Sequence, residues 1–297
     1  MSHYLRGDGL NALTPPPAAK DIGSVSSQPT PSPIGEPMMA SLSGLPGIIR
    51  SPRMLFLGTL ERIEEQKAPV TNPVDVVRWN MTKRYLGRLW DQGFPVIPTR
   101  YLKTWNQDQV MAVANELGSR TLVVKPVMGA SAGGVFRLRL TSSGTMEISA
   151  KDTEAIAPAE LSTIYEGQEV LIQPLIESVI SEGEYSLFYF RGRYSHAICK
   201  SPRDGDFRVQ EEHGGTNRPV DPSGEMVDLG VSVVSAVGGT KLLYARVDVI
   251  RGRGGQWQVM ELELIEPSLY LDMDPESPER FADAIDEWLG EEANGRV

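Results

Sequence analysis

The sequence predicts an α+β protein rich in antiparallel hairpins, and three observations carry that reading. Strand-like runs at residues 185–191 and 194–200 flank Gly192, and runs at residues 243–251 and 257–265 flank Gly252-Arg253-Gly254-Gly255. Other stretches repeat apolar residues at helical spacing. The even strand–helix alternation of a doubly wound sheet is missing.

The 297 residues, 40% of them hydrophobic, are enough for one large domain or for two lobes sharing a cleft. Lys and Arg number 29 against 39 Asp and Glu, a net charge of −10, and no long basic run occurs. That excludes a nucleic-acid footprint, although a few placed cations can still create a positive site. Cys199 is the single cysteine, so no internal disulfide forms and a reducing compartment fits. No apolar run reaches the roughly 18 residues of a membrane span. No apolar core follows Arg6, as a secretory signal requires, and a cytoplasmic location is expected.

Residues 1–50 hold 8 of the 22 prolines and show no helical or strand period, so a disordered Pro/Ser-rich leader is expected there. Met54, Leu57, Leu60 and Ile63, with Leu55, mark a helix. Asn72 reads as an N-cap before Pro73 at the first helical position, with Asp75 in the first turn. Asn80 reads as the cap of a second stretch in which Met81, Tyr85, Leu89 and Trp90 share a face, ended by Gly93 and Pro95. Residues 95–98 read as extended. Val110, Val113, Ala114 and Leu117 mark a further helix stopped at Gly118.

Residues 121–126 form a short buried strand, residues 135–140 alternate as a strand with one wet face, and residues 169–173 form a strand ended by Pro174. After the first hairpin, residues 229–237 suit a helix. The chain closes with a helix capped by Ser277 and led by Pro278, with Phe281, Ile285, Trp288 and Leu289 on one face.

Three constellations carry chemistry. In the first, a strand delivers Lys125 to a loop of small residues, 129–134, that leads into a second strand. Small residues let backbone N–H groups close on an anion, and a lysine supplies a point charge for phosphate. Neither a Walker A loop nor a Gly-x-Gly-x-x-Gly turn is present, and a plain glycine-turn hairpin remains open. The second groups Asp248 with Glu261 and Glu263. Strand alternation puts both glutamates on one face, with Met260, Leu262 and Leu264 on the other. Buried, such acids need a cation, and magnesium takes hard oxygen ligands; solvated, they need none. The third is a string of Lys200, Arg203, Arg208, His213, Gly214 and Gly215, which reads either as an anion-binding loop or as a polar surface loop. No Gly-x-Ser-x-Gly elbow accompanies His213, Ser131 or Ser195, so a hydrolytic triad is excluded. His196 reads as a packing residue and Cys199 as a small buried one. One cysteine and scattered histidines exclude a zinc site.

Taken in order, these residues resemble ATP-grasp ligases of the glutathione-synthetase type, and within them the cycloserine-biosynthesis group. The resemblance runs from about Asn72 to Tyr270. Its most specific stretches are residues 72–80, Lys83-Arg84-Tyr85-Leu86, Ser195-His196-Ala197, residues 206–215, Tyr244-Ala245-Arg246-Val247-Asp248 and residues 261–269. It implies the ATP-grasp fold, two α+β lobes whose antiparallel sheets clamp ATP. Residues 51–99 would be a helical remnant of the preceding region, 100–168 a smaller lid lobe and 169–290 a larger catalytic lobe. The βαβ domain with which such ligases begin is largely missing, its place taken by the leader.

The resemblance also implies roles. Lys83 and Lys125 contact ATP phosphates beneath a lid containing Gly129, Ser131, Gly133 and Gly134. Gln173, Pro174, Leu175 and Ile176 hold adenine, and Glu182 binds ribose. Asp248, Glu261 and Glu263 hold Mg2+, for which Mn2+ can substitute. Lys200, Arg208 and Arg246 form the catalytic group, with Lys200 at the γ-phosphate and Arg208, beside Gly214 and Gly215, at the acyl phosphate or substrate carboxylate. The implied activity is ATP-dependent joining of a carboxylate to an amine on a small amino-acid-like substrate. The implied partners are that small molecule, with neither nucleic acid nor membrane, and a homodimer or partner chain that could supply the missing lobe. Two alternatives stay open: a nucleotide-binding module with little ligase activity, and a kinase releasing a stable phosphorylated product.

Overall fold

The computed structural model describes residues 52–67, 69–129, 134–143, 145–149, 155–293 and 295. The expected leader, and Ser131 and Gly133, lie outside the described residues. Three helices come first: α1 (Pro52–Glu65), α2 (Val74–Asn80) and α3 (Tyr85–Asp91). Neither asparagine caps a helix as expected. Pro73 takes the cap position of α2, and Asn80 is its last residue. Both amides serve the sheet instead. Asn72 accepts from Leu243 N–H at 2.9 Å and donates to the carbonyls of Tyr244 (3.0 Å) and Leu264 (2.7 Å). Asn80 donates to Leu262 O at 2.9 Å and accepts from Leu264 N–H at 3.0 Å. Buried backbone groups past the ends of ladders need such partners. The α3 stripe is Tyr85, Leu86 and Leu89, while Trp90 is 57% exposed, off the expected face.

The first sheet has six strands, β1 (Arg100–Leu102), β2 (Thr121–Pro126), β3 (Phe136–Leu140), β4 (Met146–Ser149), β5 (Ala155–Ile156) and β6 (Val170–Pro174), in the order β1-β6-β2-β3-β4-β5. Every pairing is antiparallel. One face, with Leu122, Val124, Leu138, Ile148, Val170 and Ile172, packs on helices α4 (Gln107–Glu116) and α5 (Pro158–Ile164). Asn106 caps α4, its side chain accepting from Gln109 N–H at 3.0 Å. Alternation then turns Val123 and Lys125 to the other face. Because β6 pairs with both β1 and β2, this sheet takes in the chain as far as Pro174.

After the short helix α6 (Ser178–Ser181) come β7 (Glu184–Phe190), β8 (Arg193–Ser201), β9 (Thr216–Pro219), helix α7 (Gly224–Val237), β10 (Tyr244–Arg251), β11 (Trp257–Glu263) and helix α8 (Ser277–Ala293). These strands form the second sheet, ordered β11-β10-β7-β8-β9 and antiparallel throughout. Leu187, Tyr189, Ala197, Ala245, Val247, Val249 and Val259 form the core with Met226, Val233 and Val234 of α7 and Leu86 and Leu89 of α3. The approach of α7 is close enough that a Cβ on Gly230 would lie 1.9 Å from the Tyr189 hydroxyl oxygen, so that position requires glycine. On α8, Ala284 and Trp288 are buried and Phe281 and Ile285 pack beside them, but Leu289 is 51% exposed and leaves the expected face. Ser277 opens α8, its hydroxyl donating toward the carbonyls of Leu271 and Asp274 at 2.9 and 3.0 Å.

The pairing of β10 with β11 shifts between Asp248 and Val249: Asp248 faces Glu261, Val249 faces Val259, and Met260 is the extra residue of a bulge. Strict alternation would have put Met260 with Leu262 on the core side. The bulge instead brings it beside Glu261 on the opposite side, where it packs with Ile97, Ile176 and Ile250. No helix among the described residues is long and apolar enough to cross a membrane.

Candidate active site

The second sheet carries its charged residues on the face away from the α7 core. Registered neighbours on antiparallel strands point the same way, and the rows follow from the pairing. His196, Phe188, Arg246 and Glu263 make one row, and Ile198, Ser186, Asp248 and Glu261 the next. Glu184 faces Lys200 beyond them. Over this face lies a cavity of about 330 Å³, walled on the other side by Val123, Lys125, Pro126 and Gly129, and by residues 173–176.

The acids converge. Asp248, Glu261 and Glu263 each offer an oxygen within 4.8 Å of the others. Asp248 is 1% exposed, and both its oxygens are engaged. Arg246 Nε donates to Oδ1 at 3.0 Å and Nη2 to Oδ2 at 3.0 Å, and Ser186 Oγ donates to Oδ1 at 2.6 Å. Burial opposes its charge, but Arg246 and Lys200 outweigh burial and hold the carboxyl well below the usual range. Glu261 pairs with Lys83, which also donates to Gly129 O at 3.1 Å, and its carboxyl is lowered to about 2 by Lys83 and Lys125 against the effect of burial. Glu263 pairs with Arg246, yet burial, with Asp248 and Glu261 beside it, raises it to about 7. Three hard oxygen donors this close fit a divalent cation, which relieves their mutual repulsion.

The cations surround them. Lys200 lies 3.2 Å from Glu184 and 3.5 Å from Asp248. Arg208 is set by Asp206, which accepts from Nε at 3.1 Å and from Nη2 at 2.8 Å. Lys125 is only 6% exposed, and its ammonium makes no hydrogen bond or ion pair with a described residue. Burial lowers its pKa, with Glu261 pulling the other way. A buried ammonium without a direct partner is costly, and an anion placed in the cavity would offset that cost. The apolar group of Ile97, Ile176, Ile250 and Met260 lies at the end of the cavity near residues 173–176 and suits a flat, weakly polar ring.

The sequence model of the family described as prokaryotic glutathione synthetase, ATP-grasp domain, matches residues 87–268. The cycloserine biosynthesis protein DcsG of Streptomyces lavendulae is 34% identical over 248 residues, which cover 79% of this chain and 78% of that protein. The chain belongs to the ATP-grasp family of ligases. The crystal structure of D-cycloserine synthetase DcsG matches with a TM-score of 0.64 at 31% identity, covering 79% of this chain and 78% of that one. The D-alanine–D-alanine ligase from Bacillus anthracis matches with a TM-score of 0.55 at 19% identity, covering 80% and 75%, and shares the ATP-grasp fold.

Most residues singled out from the ATP-grasp resemblance line one cavity. Lys83, Lys125, Gly129, Gln173, Pro174, Leu175, Ile176, Lys200, Arg208, Arg246, Asp248, Glu261 and Glu263 all border it. Gly134 does not border it: its φ is +69°, and its carbonyl accepts from Tyr165 Oη at 2.6 Å. Glu182 also stands apart, paired with Arg251 at 2.9 Å and outside the cavity lining. Gly183, at φ +101° with Cys199 Sγ 2.6 Å from where a Cβ would sit, redirects the chain there, and Glu184 is the acid that enters. Gly215 lets its own loop close, since a Cβ would lie 2.1 Å from Val209 O. Sequence reasoning did not single out Glu184, Asp206, Glu266, Ser268 or Tyr270 as site residues. No period in the sequence separates Glu184 from Glu182, because Glu182 closes α6 and Glu184 opens β7 with the bend at Gly183 between them.

Proposed function

We propose that this protein is an ADP-forming carboxylate–amine ligase acting on a small amino-acid-like substrate, in the manner of a cycloserine synthetase. The observation that carries the reading is Lys125, a buried ammonium with no direct partner among the described residues, facing the cluster of Asp248, Glu261 and Glu263 across one cavity. A triphosphate satisfies the lysine, and a cation held by the three acids satisfies its oxygens.

In this reading the substrate carboxylate oxygen attacks the γ-phosphorus in line, ADP leaves, and an acyl phosphate forms. An amine then attacks the acyl carbon, phosphate leaves, the nitrogen loses a proton, and an amide or cyclic amide results. Lys83, Lys125 and Lys200 orient the phosphates. Arg208, fixed by Asp206, holds the substrate carboxylate and then the acyl phosphate. Arg246 keeps Asp248 and Glu263 aimed at one point. Magnesium, or manganese, held by Asp248, Glu261 and Glu263 would supply charge neutralisation on the phosphates. No side chain acts as a covalent nucleophile; positioning and electrostatics lower the barrier. The smaller lobe, expected over 100–168, is taken to run on through β6 to residue 174 because β6 pairs with β1 and β2, and the larger lobe, expected from 169, then spans 175–290, with residues 173–176 as the adenine hinge. A buried Cys199 suits a cytoplasmic enzyme.

The test incubates the protein with Mg·ATP and a panel of D- and L-amino acids and O-substituted serines, and measures ADP and inorganic phosphate separately. Equal, substrate-stimulated release of both supports the ligase. ADP without phosphate makes it a kinase, and no stimulation over background leaves a nucleotide-binding module.

A further inference from the structure

Along β10 the site has a direction. Ile250 belongs to the apolar group near the hinge, Asp248 to the acid cluster, and Arg246 lies beyond it, in the row of Phe188 and His196. Four residues of strand span about 13 Å. The end marked by Arg246 and Phe188 is therefore the one farthest from the base, where the acceptor substrate has to lie. The wall at that end is the segment after β11, from which Glu266, Ser268 and Tyr270 border the cavity.

That wall is held in an unusual shape. Tyr270 has φ +47° and ψ 45°, a left-handed conformation that a bulky residue adopts only when its surroundings enforce it. The Leu269 side chain packs against the cluster of Phe190, Leu243, Ala284 and Trp288, and its carbonyl faces His196 Nε2 at 2.9 Å. The carbonyl can only accept, so Nε2 carries the proton. His196 Nδ1 is then the acceptor for Ser195 Oγ at 3.0 Å, and that hydroxyl accepts in turn from Arg280 Nε at 3.1 Å. Arg280 is anchored by Asp274 and Glu276. The imidazole stacks on Phe188 at 4.4 Å and 12°. One polarised chain thus runs from helix α8 through Ser195 and His196 to the wall.

We propose that His196 is a positioning residue for the acceptor substrate: by donating to Leu269 O it fixes the left-handed Tyr270, and the wall so formed sets specificity for a small amino-acid-like molecule. His196 does not line the cavity, its hydrogen bonds go to Ser195 and Leu269, and it acts through Tyr270. The assignment of the wall to the acceptor rests on the ligase reading; the clamp itself does not.

Two variants separate the donor from the ring. His196→Phe keeps the stack on Phe188 and loses the donor, and His196→Gln keeps a donor near the Nε2 position. Without any substrate, hydrogen exchange of the amides in residues 268–273 should accelerate about tenfold in His196→Phe, the worth of one hydrogen bond, and return to within about twofold of wild type in His196→Gln. Mg·ADP affinity, measured by calorimetry, should stay within about twofold in both. With the panel amino acid that best stimulates ADP release, KM should rise about tenfold in His196→Phe with kcat little changed, and His196→Gln should restore it. Tyr270→Gly, which tolerates the left-handed backbone but removes the wall, should raise the same KM and leave Mg·ADP binding intact. Wild-type exchange in His196→Phe overturns the clamp whether or not any amino acid turns over. Faster exchange with an unchanged KM in His196→Phe and Tyr270→Gly overturns the specificity role. A panel with no turnover, alongside accelerated exchange, defeats the ligase reading and not the clamp.

Discussion

Replacing Lys125 with methionine should separate binding from folding, because the two respond in opposite directions. In the free protein the ammonium is 6% exposed and has no direct ion pair among the described residues, and burial holds its pKa below the ordinary value. The folded state therefore binds this proton more weakly than the unfolded chain does, and the charged form costs stability at every pH where it persists. Methionine keeps the length and apolar stem of the side chain without the charge. The nucleotide-free variant should gain about 1 kcal/mol or more, which raises Tm by roughly 2–4 °C for a domain of this size. Nucleotide binding should weaken, since a hydrogen bond between an ammonium and a phosphate is worth about 1.5–3 kcal/mol, or roughly 10- to 150-fold in Kd. Calorimetry with a non-hydrolysable Mg·ATP analogue and a thermal melt of the free protein measure the two effects. A variant that melts several degrees lower yet binds nucleotide within about twofold of wild type would refute the placement of Lys125 at the phosphates.

Three other outcomes follow from the same geometry. Glu263 is held up to about 7 in the metal-free protein, chiefly by burial; a cation binds its carboxylate only, so Mg2+ affinity should rise as pH increases through about 7, with proton release visible by titration in buffers of different ionisation heat. Asn72→Ala removes bonds to Leu243, Tyr244 and Leu264 and leaves buried backbone groups unpaired, so stability should fall by about 3 kcal/mol and Tm by roughly 6–12 °C, read in a thermal melt. Asp206→Asn loosens Arg208 while leaving the nucleotide side intact, so kcat/KM at neutral pH should fall roughly 10- to 100-fold with Kd for Mg·ADP unchanged. Because Arg208, working against burial, lowers the Asp206 carboxyl, its own contribution to stability persists above pH about 4 and fades only as the solution is acidified through the depressed pKa.

The hairpins and the long helices were legible because they rest on period and spacing, whereas the convergence of lysines with acids was implied only by the ATP-grasp resemblance. Lys125 ends an apolar run, and Glu261 and Glu263 stand two apart, so alternation alone puts each pair of neighbours on known faces. The short strands β1, β4, β5 and β9 escaped, since two to four residues carry no period and are made strands by their partners. Asn72 and Asn80 were misread because a buried asparagine and a capping asparagine look alike until the neighbouring chain ends are placed. Trp90 and Leu289 fit a helical face on paper and fall outside it in space. Glu182 and Glu184 could be told apart only once Gly183 was seen to bend the chain between them.

The extra residue in β11 has a consequence for how this pocket can change. A bulged residue owes no ladder bond to its neighbour strand, so Met260 can be exchanged while Glu261 and Glu263 keep their register with Asp248 and Arg246. Preference among nucleobases can thus drift at a single codon without touching the residues proposed to grip the metal. Deleting that codon would do the opposite. It would straighten the strand and force the methionine's neighbours to choose between the oily end of the pocket and the charged one.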